Sequence, residues 1–186
     1  DVISSCRGWF NFIYYGHDPK LVNVLNGGLR KWLKEKKNVT DEILNIEKSD
    51  YKSTERKDLV KNKQSIDQNI DEKIFTLIDA RSRERFEGKI PEPRKGLRSG
   101  CIKNSFCIPF NDCLNDDKTF KNKDELKKIF KTVIENLEQK KIVFSCGSGV
   151  TACVLALAYS LINDKYLPCI YAVSYTHLRA HETSGY

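Results

Sequence analysis

The chain of 186 residues has room for one ordinary domain, or for one domain and part of another. Its content of 40% hydrophobic and 31% charged residues is typical of a globular protein, and no apolar run approaches the length of a membrane-spanning helix. The net charge is +7, but the lysines are scattered without aromatic residues or an arginine stripe beside them. This pattern indicates a solvated surface and argues against a nucleic-acid partner.

The cysteines do not follow the spacing of a disulfide framework or of a zinc site. Their number is odd, and no C-x-x-C pair occurs. We therefore expect reduced thiols, no metal site and a reducing compartment. The cysteines are Cys6, Cys101, Cys107, Cys113, Cys146, Cys153 and Cys169.

The first part of the chain predicts the end of a helix, a strand, a turn and a second helix. "LVNVL" at 21–25 predicts a short strand, and the stretch after it places Leu29, Trp32 and Leu33 on one helical face. Residues 38–72 are polar, with few apolar anchors, and predict a linker or a loosely ordered arm.

Strands and helices alternate in the second part, which predicts a parallel sheet with helices on both faces. A strand ends at Asp79, and "ERF" belongs to a short helix that an irregular loop follows. The further predictions in chain order are a strand in "SFCIPF", a long amphipathic helix along "NKDELKKIFKTVIENLEQ", a strand at 141–145, an apolar helix at 150–162 and a strand at 168–173. Asn122 and Glu125 have the spacing of a capping box at the start of the long helix.

Cys146 stands at the carboxyl end of a predicted strand, in "VFSCGSGVTA", where open α/β sheets bind their ligands. The backbone N–H groups of 147–151 and the N-terminus of the next helix would stabilise an anion at its sulfur. A thiolate is such an anion, and Ser148 and Thr151 add hydroxyl donors. The pattern therefore indicates a reactive sulfur nucleophile.

Three other interpretations of this turn remain open. "GSGVTA" fits the G-x-G-x-x-A dinucleotide fingerprint, but the next strand ends in "CIYAVS" without an acidic residue. A cysteine phosphatase would need an arginine in the loop to clamp phosphate, and Ala152 stands six positions after Cys146. The third interpretation is a buried, inert cysteine before a buried helix.

"SCGSGVTACVLALA" resembles the active-site loop of the rhodanese superfamily, in its 3-mercaptopyruvate sulfurtransferase branch. "LIDARSRERFEGKIPEPRKG" is similar to the start of that family's second domain, and "YYGHDPKLVNVLNGGLRKWLKE" to the end of its first. One stretch departs from the family: "GCIKNS" stands where a "GHIPGA"-like turn is usual.

The resemblance implies a rhodanese-like three-layer α/β fold, the second domain of a tandem pair with the end of the first. The expected parts are a first-domain remnant at 1–40, a polar linker at 41–72, the catalytic domain at 73–173, truncated at its C-terminal end, and a tail at 174–186 that resembles translated cloning-adapter sequence. His177 and His181 fall in this tail and receive no role.

The resemblance also implies the site residues. The family's catalytic cysteine falls on Cys146, and its two carboxylate-binding arginines fall on Arg85 and Arg94. The loop residues that would hold sulfur and substrate are Gly147, Ser148, Gly149, Val150 and Thr151.

The implied reaction moves sulfur from 3-mercaptopyruvate through a cysteine persulfide to a thiol such as thioredoxin, or to cyanide, without a cofactor. The uncharged loop is similar to the mercaptopyruvate branch, because the thiosulfate-using branch has charged residues there. Two alternatives remain open: a catalytically silent binding module and a thiosulfate sulfurtransferase. The resemblance implies a cytoplasmic or mitochondrial protein.

Overall fold

The computed structural model describes residues 1–48, 50–93 and 98–171. Six α-helices occur in this part of the chain: α1 Val2–Tyr14, α2 Gly28–Lys34, α3 Lys63–Glu72, α4 Arg83–Phe86, α5 Lys123–Lys131 and α6 Val150–Ser160. The strands are β1 Val60–Lys61, β2 Thr76–Asp79, β3 Phe106–Cys107, β4 Ile142–Ser145 and β5 Ile170–Tyr171. Short 3₁₀ turns lie at Pro19–Leu21, Lys57–Leu59 and Phe110–Cys113.

The five described strands form one sheet in the order β1-β5-β4-β2-β3, and every neighbouring pair is parallel. In the central pair, β2 and β4 run in register from Thr76 opposite Ile142 to Asp79 opposite Ser145. Parallel strands require crossover connections, and the helices supply them. The predicted parallel α/β sheet is therefore confirmed.

The sheet has an apolar layer on each face. On one face Phe144 and Ile78 pack in a cluster with buried residues of α1, α5 and α6. On the other face, the smaller cluster places Val143 with Ile66 of α3. Because neighbouring side chains of a strand point to opposite faces, β4 is buried on both sides, which explains its continuous apolar sequence.

Helix α6 is buried around most of its circumference. Its residues 152–159 are all buried, and α1 packs against it. A helix that is apolar on all sides has to be covered by neighbours, and β4, α5 and α1 pack against α6. The position of α6 fixes the loop that precedes it.

Three sequence predictions are corrected. The strand predicted at 21–25 is not a strand, because Val22 has extended dihedrals but no partner strand pairs with it in the described residues. The long helix is shorter than predicted and ends at Lys131, where the β-branched residues of "TVI" follow. In both segments, irregular backbone stands where a strand or a helix was expected.

The third correction concerns the polar segment. Its last part, at 57–72, contains a 3₁₀ turn, β1 and α3, because Leu59 and Ile66 are buried and the Asn62 side chain caps α3. The division of the chain into a first-domain remnant, a linker, a catalytic domain and a tail otherwise stays a prediction. The tail and residues 172–173 of the last predicted strand lie outside the described residues.

Candidate active site

Cys146 directly follows β4 at the carboxyl edge of the sheet and is half-buried. It packs on the face of the sheet that α1 and α6 cover. Its Sγ accepts a hydrogen bond of 3.0 Å from the backbone N–H of Gly149. Among the described residues, no second backbone N–H of 147–151 reaches this sulfur, so the predicted convergence of several amides is reduced to one.

Gly149 gives the loop its shape. It is the N-cap of α6 and has φ of +79° and ψ of −2°, a left-handed conformation that glycine adopts without steric cost. This backbone turn points the Gly149 N–H back to the sulfur three residues earlier while the chain enters the helix. The positive end of the 11-residue helix α6 then lies beside the thiol, where it favours negative charge.

Arg85 comes from α4 and reaches the same loop. A Cβ added to Gly147 would lie 3.5 Å from Arg85 Nη2, so the guanidinium sits against the loop backbone. The same guanidinium forms an ion pair with Glu92, in which Nε donates to Oε1 over 3.2 Å and Nη2 donates to Oε2. The structure therefore brings Arg85 to Cys146's loop, with one of its edges already occupied by a carboxylate.

Glu92 belongs to a buried network that begins at the end of β2. Arg81 donates from Nη2 to Asp79 over 2.7 Å and from Nη1 to Glu92 over 2.7 Å. The side chains of Asp79 and Glu92 are 5% and 3% exposed. Hydrogen bonds from Arg85 lower the pKa of Glu92, against the opposing effect of burial. The network thus ties Arg85 to the central sheet.

Arg7, a half-buried residue of α1, also reaches the loop. Its Nη1 lies 3.5 Å from the carbonyl oxygen of Gly149, and its guanidinium carbon lies 5.8 Å from the centre of the Phe10 ring. The thiol of Cys153 donates to the same carbonyl over 3.0 Å. Arg7 therefore contacts the backbone of the glycine whose N–H holds the Cys146 sulfur.

A family model described as "Rhodanese-like domain" matches residues 62–175. The chain belongs to the rhodanese family. The solved structure of SseA from Escherichia coli, titled as a 3-mercaptopyruvate sulfotransferase with the rhodanese fold, matches with a TM-score of 0.76 and 25% identity, over 94% of this chain and 63% of that one. The predicted rhodanese fold is confirmed.

Two named relatives have different donors in their names. Thiosulfate sulfurtransferase from Rattus norvegicus is 40% identical over 153 residues, which cover 82% of this chain and 50% of the relative. Thiosulfate/3-mercaptopyruvate sulfurtransferase 1, mitochondrial, from Arabidopsis thaliana is 36% identical over 196 residues, which cover 94% of this chain and 51% of the relative. The chain thus spans about half the length of these relatives.

The structure locates most of the predicted site residues of this rhodanese domain. Gly147 and Gly149 lie in the loop as described, Ser148 is exposed there, and Val150 and Thr151 form the first turn of α6. No hydrogen bond joins the Ser148 or Thr151 hydroxyl to the Cys146 sulfur among the described residues. Arg94 lies outside the described residues, so its role stays a prediction.

The other thiols differ from Cys146 in their surroundings. All seven cysteines are free. Burial raises the pKa of Cys6, Cys113 and Cys153 to about 12. It also raises the pKa of Cys107 and Cys169 to about 11, which makes all five weak nucleophiles at neutral pH. Cys101 is exposed and does not directly precede a helix in the described residues, whereas Cys146 is half-buried just before the start of α6.

Sequence reasoning missed Arg7 and Glu92. Arg7 lies 142 residues from its carbonyl partner, and no local pattern links the two positions. A weak indication of Glu92 is present in the sequence. It lies seven residues from Arg85 in a stretch with two prolines, and a rigid loop there can bring its carboxylate back to α4.

Proposed function

We propose that this rhodanese domain transfers the sulfur of 3-mercaptopyruvate through a persulfide on Cys146 to a thiol or cyanide acceptor. The observation that carries the proposal is the half-buried Cys146 at the carboxyl edge of the sheet, with the Gly149 N–H on its sulfur and Arg85 against its loop. A nucleophile, a donor for its anion and a cation for a substrate carboxylate then meet at one loop.

The first half-reaction is a displacement at sulfur. The Cys146 thiolate attacks the mercapto sulfur of the donor, the S–S bond forms, and the C–S bond breaks. Its electron pair goes to carbon, so pyruvate leaves as its enolate, which takes up the proton that the mercapto group carried. Cys146 keeps the transferred sulfur as a persulfide, and the Gly149 N–H and the α6 N-terminus favour its negative charge.

The second half-reaction returns the thiol. An acceptor thiolate, for which thioredoxin is the proposed source, attacks the outer persulfide sulfur, and the S–S bond to Cys146 breaks. The acceptor then carries the sulfur as a persulfide. A second thiol attacks the acceptor's own sulfur, which forms a disulfide and releases sulfide. Cyanide accepts the same atom as thiocyanate. No cofactor enters either step.

The donor assignment depends on the charges at the site. A carboxylate is bound in two-point fashion by an arginine edge, which suits Arg85 and the predicted second clamp Arg94. The loop residues 147–151 carry no charge, which favours mercaptopyruvate over the thiosulfate dianion. Thiosulfate remains the second candidate, because the rat relative bears that name at 40% identity. A silent binding module is the third.

We propose a mitochondrial or cytoplasmic location. The mitochondrial term in the Arabidopsis relative's name supports the first. Within the described residues, every helix is too short or too polar to cross a bilayer.

The test is incubation of the chain with 3-mercaptopyruvate and a thiol. We expect pyruvate and sulfide release, and a mass gain of one sulfur atom on Cys146 when the acceptor is left out. Cys146→Ser should lose both signals, whereas the matched control Cys101→Ser, at an exposed thiol, should keep both. A folded chain that releases no pyruvate and gains no sulfur contradicts the proposal.

Variants of the two arginines that are proposed to bind the substrate carboxylate test the choice of sulfur donor. Arg94→Ala and Arg85→Ala should weaken the use of mercaptopyruvate far more than the alkylation of Cys146 by neutral iodoacetamide. Comparison with thiosulfate under the same conditions separates the two donors. Equal losses in turnover and alkylation would contradict the role of the arginines in carboxylate binding.

A further inference from the structure

The two arginines that reach the Cys146 loop differ in their ion pairing. On the α4 side, Arg85 is paired with Glu92. On the α1 side, Arg7 forms no ion pair with any described residue, although it is only partly exposed. A cation that is partly desolvated without an anionic partner carries an energetic cost, which falls when a negative charge develops nearby.

Arg7 reaches the loop through one glycine. Its Nη1 lies 3.5 Å from the Gly149 oxygen, and the Gly149 N–H donates to Cys146 Sγ over 3.0 Å. Cys153 Sγ contacts the same oxygen over 3.0 Å. Two peptide groups meet at Gly149. Arg7 and Cys153 contact the carbonyl of one, and the N–H of the other contacts the Cys146 sulfur.

The position of Arg7 is itself fixed by packing. Helix α1 buries Cys6, Phe10 and Ile13 in the core cluster that also contains α6. The guanidinium of Arg7 lies over the Phe10 ring, an arrangement that attracts a cation to the ring face. The residue therefore acts from an element that the sequence analysis assigned to a different unit from the loop.

We propose that Arg7 is a positioning residue for Cys146: from α1 it holds the carbonyl of Gly149, the glycine whose N–H contacts the sulfur, and it supplies an unpaired positive charge near the thiolate and persulfide. The catalytic part of this inference rests on the sulfur transfer proposed above. Its structural part, the control of Cys146 reactivity by Arg7, does not.

The experiment compares three variants of Arg7 with one control. Arg7→Gln and Arg7→Met remove the charge, and the second keeps an apolar stem over Phe10. Arg7→Lys keeps the charge. Arg30→Gln on the exposed face of α2 is the matched control for loss of an arginine. Thermal unfolding of each variant verifies that it folds.

The first readout does not need turnover. We measure the rate at which iodoacetamide alkylates Cys146, identified by peptide mass, and expect it to fall about tenfold in Arg7→Gln and Arg7→Met. Arg7→Lys should recover part of the rate, and Arg30→Gln should match the wild type. Folded charge-free variants that alkylate at the wild-type rate overturn the proposal.

The second readout is the split between kcat and KM for 3-mercaptopyruvate. A positioning role predicts that kcat falls about tenfold while KM changes little, because the clamp at Arg85 is intact. If kcat/KM falls only because KM rises, the positioning role is overturned and Arg7 is assigned to substrate binding. If the wild-type chain transfers no sulfur, the proposed function fails, and the alkylation rates still decide the role of Arg7.

Discussion

Replacement of Glu92 by alanine tests whether the buried network holds Arg85 at the loop. The Glu92 side chain is 3% exposed and contacts both Arg81 and Arg85. Removal of one member of a buried ion pair costs about 3–5 kcal/mol, because the remaining charge is left without a partner. Arg81 keeps Asp79, and the Arg85 side chain is 26% exposed, so we expect the lower end, about 3 kcal/mol.

This loss is large on the scale of a folded domain. Total stabilities are about 5–15 kcal/mol, and for a chain of this size each kcal/mol shifts the melting temperature by about 2–4 °C. Glu92→Ala should therefore lower Tm by about 6–12 °C. Urea denaturation followed by far-UV circular dichroism gives the free energy of unfolding.

The matched control is Glu87→Ala. Glu87 forms a pair with Lys89, but these side chains are 46% and 70% exposed, and such surface pairs contribute about 0–1 kcal/mol. A second readout follows from the site: Glu92→Ala should raise KM for 3-mercaptopyruvate, because Arg85 loses its anchor, while iodoacetamide still alkylates Cys146. Equal destabilisation by the two variants would refute the argument that the network is buried and coupled.

Three further predictions concern pH, the loop and a helix cap. The pKa of Glu92 is lowered in the fold, so its contribution to the free energy of unfolding is complete above its unfolded pKa of about 4.3 and is lost as pH falls below that value. The urea midpoints of wild type and Glu92→Ala should therefore converge from about pH 4 downward. A difference between the two midpoints that stays constant with pH contradicts this prediction. Gly149→Ala forces a Cβ into φ of +79°, which should cost about 1–2 kcal/mol in urea denaturation and slow alkylation of Cys146; wild-type values in both assays would show that the glycine is not required. Asn122→Ala removes the capping box with Glu125 and should cost about 1 kcal/mol in the same denaturation assay, and an unchanged midpoint would contradict the cap.

Local patterns were sufficient to predict the centre of the fold. The apolar run of β4 is short, is rich in β-branched and aromatic residues, and is followed at once by glycines, so its end could be placed within a residue. The capping box at Asn122 fixed the start of α5 in the same way. Cys146 could be proposed as the nucleophile because the strand end and the helix start lie within the same ten residues.

Elements that depend on distant partners could not be predicted in this way. The segment at 21–25 has the composition of a strand, but whether a partner strand lies beside it is not encoded locally. β1 and α3 were missed for the opposite reason. Their sequence is polar, and the two residues of β1 become a strand because β5 offers a free edge. In both cases tertiary pairing overrides local propensity.

The charged residues of the site also come from parts of the chain that are distant in sequence from the Cys146 loop. The loop that holds Cys146 is neutral, so its sequence places the proposed nucleophile but not the two arginines that contact the loop. One cation comes from α1 and one from α4, and a carboxylate shared with Arg81 sets the orientation of the second. A prediction of donor choice therefore needs the contacts across the fold in addition to the neutral loop.

Arg85 is the residue at which these contacts meet, because it pairs with Glu92 and is proposed to bind the substrate carboxylate as well. Glu92 occupies the edge formed by Nε and Nη2, which leaves the edge formed by Nη1 and Nη2 for a substrate. Nη2 already lies against Gly147, so a carboxylate bound end-on would sit beside the Cys146 loop. A lysine offers a single charge centre without two planar edges and could not serve both partners. The planar geometry of arginine would therefore allow the buried network to hold Arg85 while one edge stays available for the proposed substrate carboxylate.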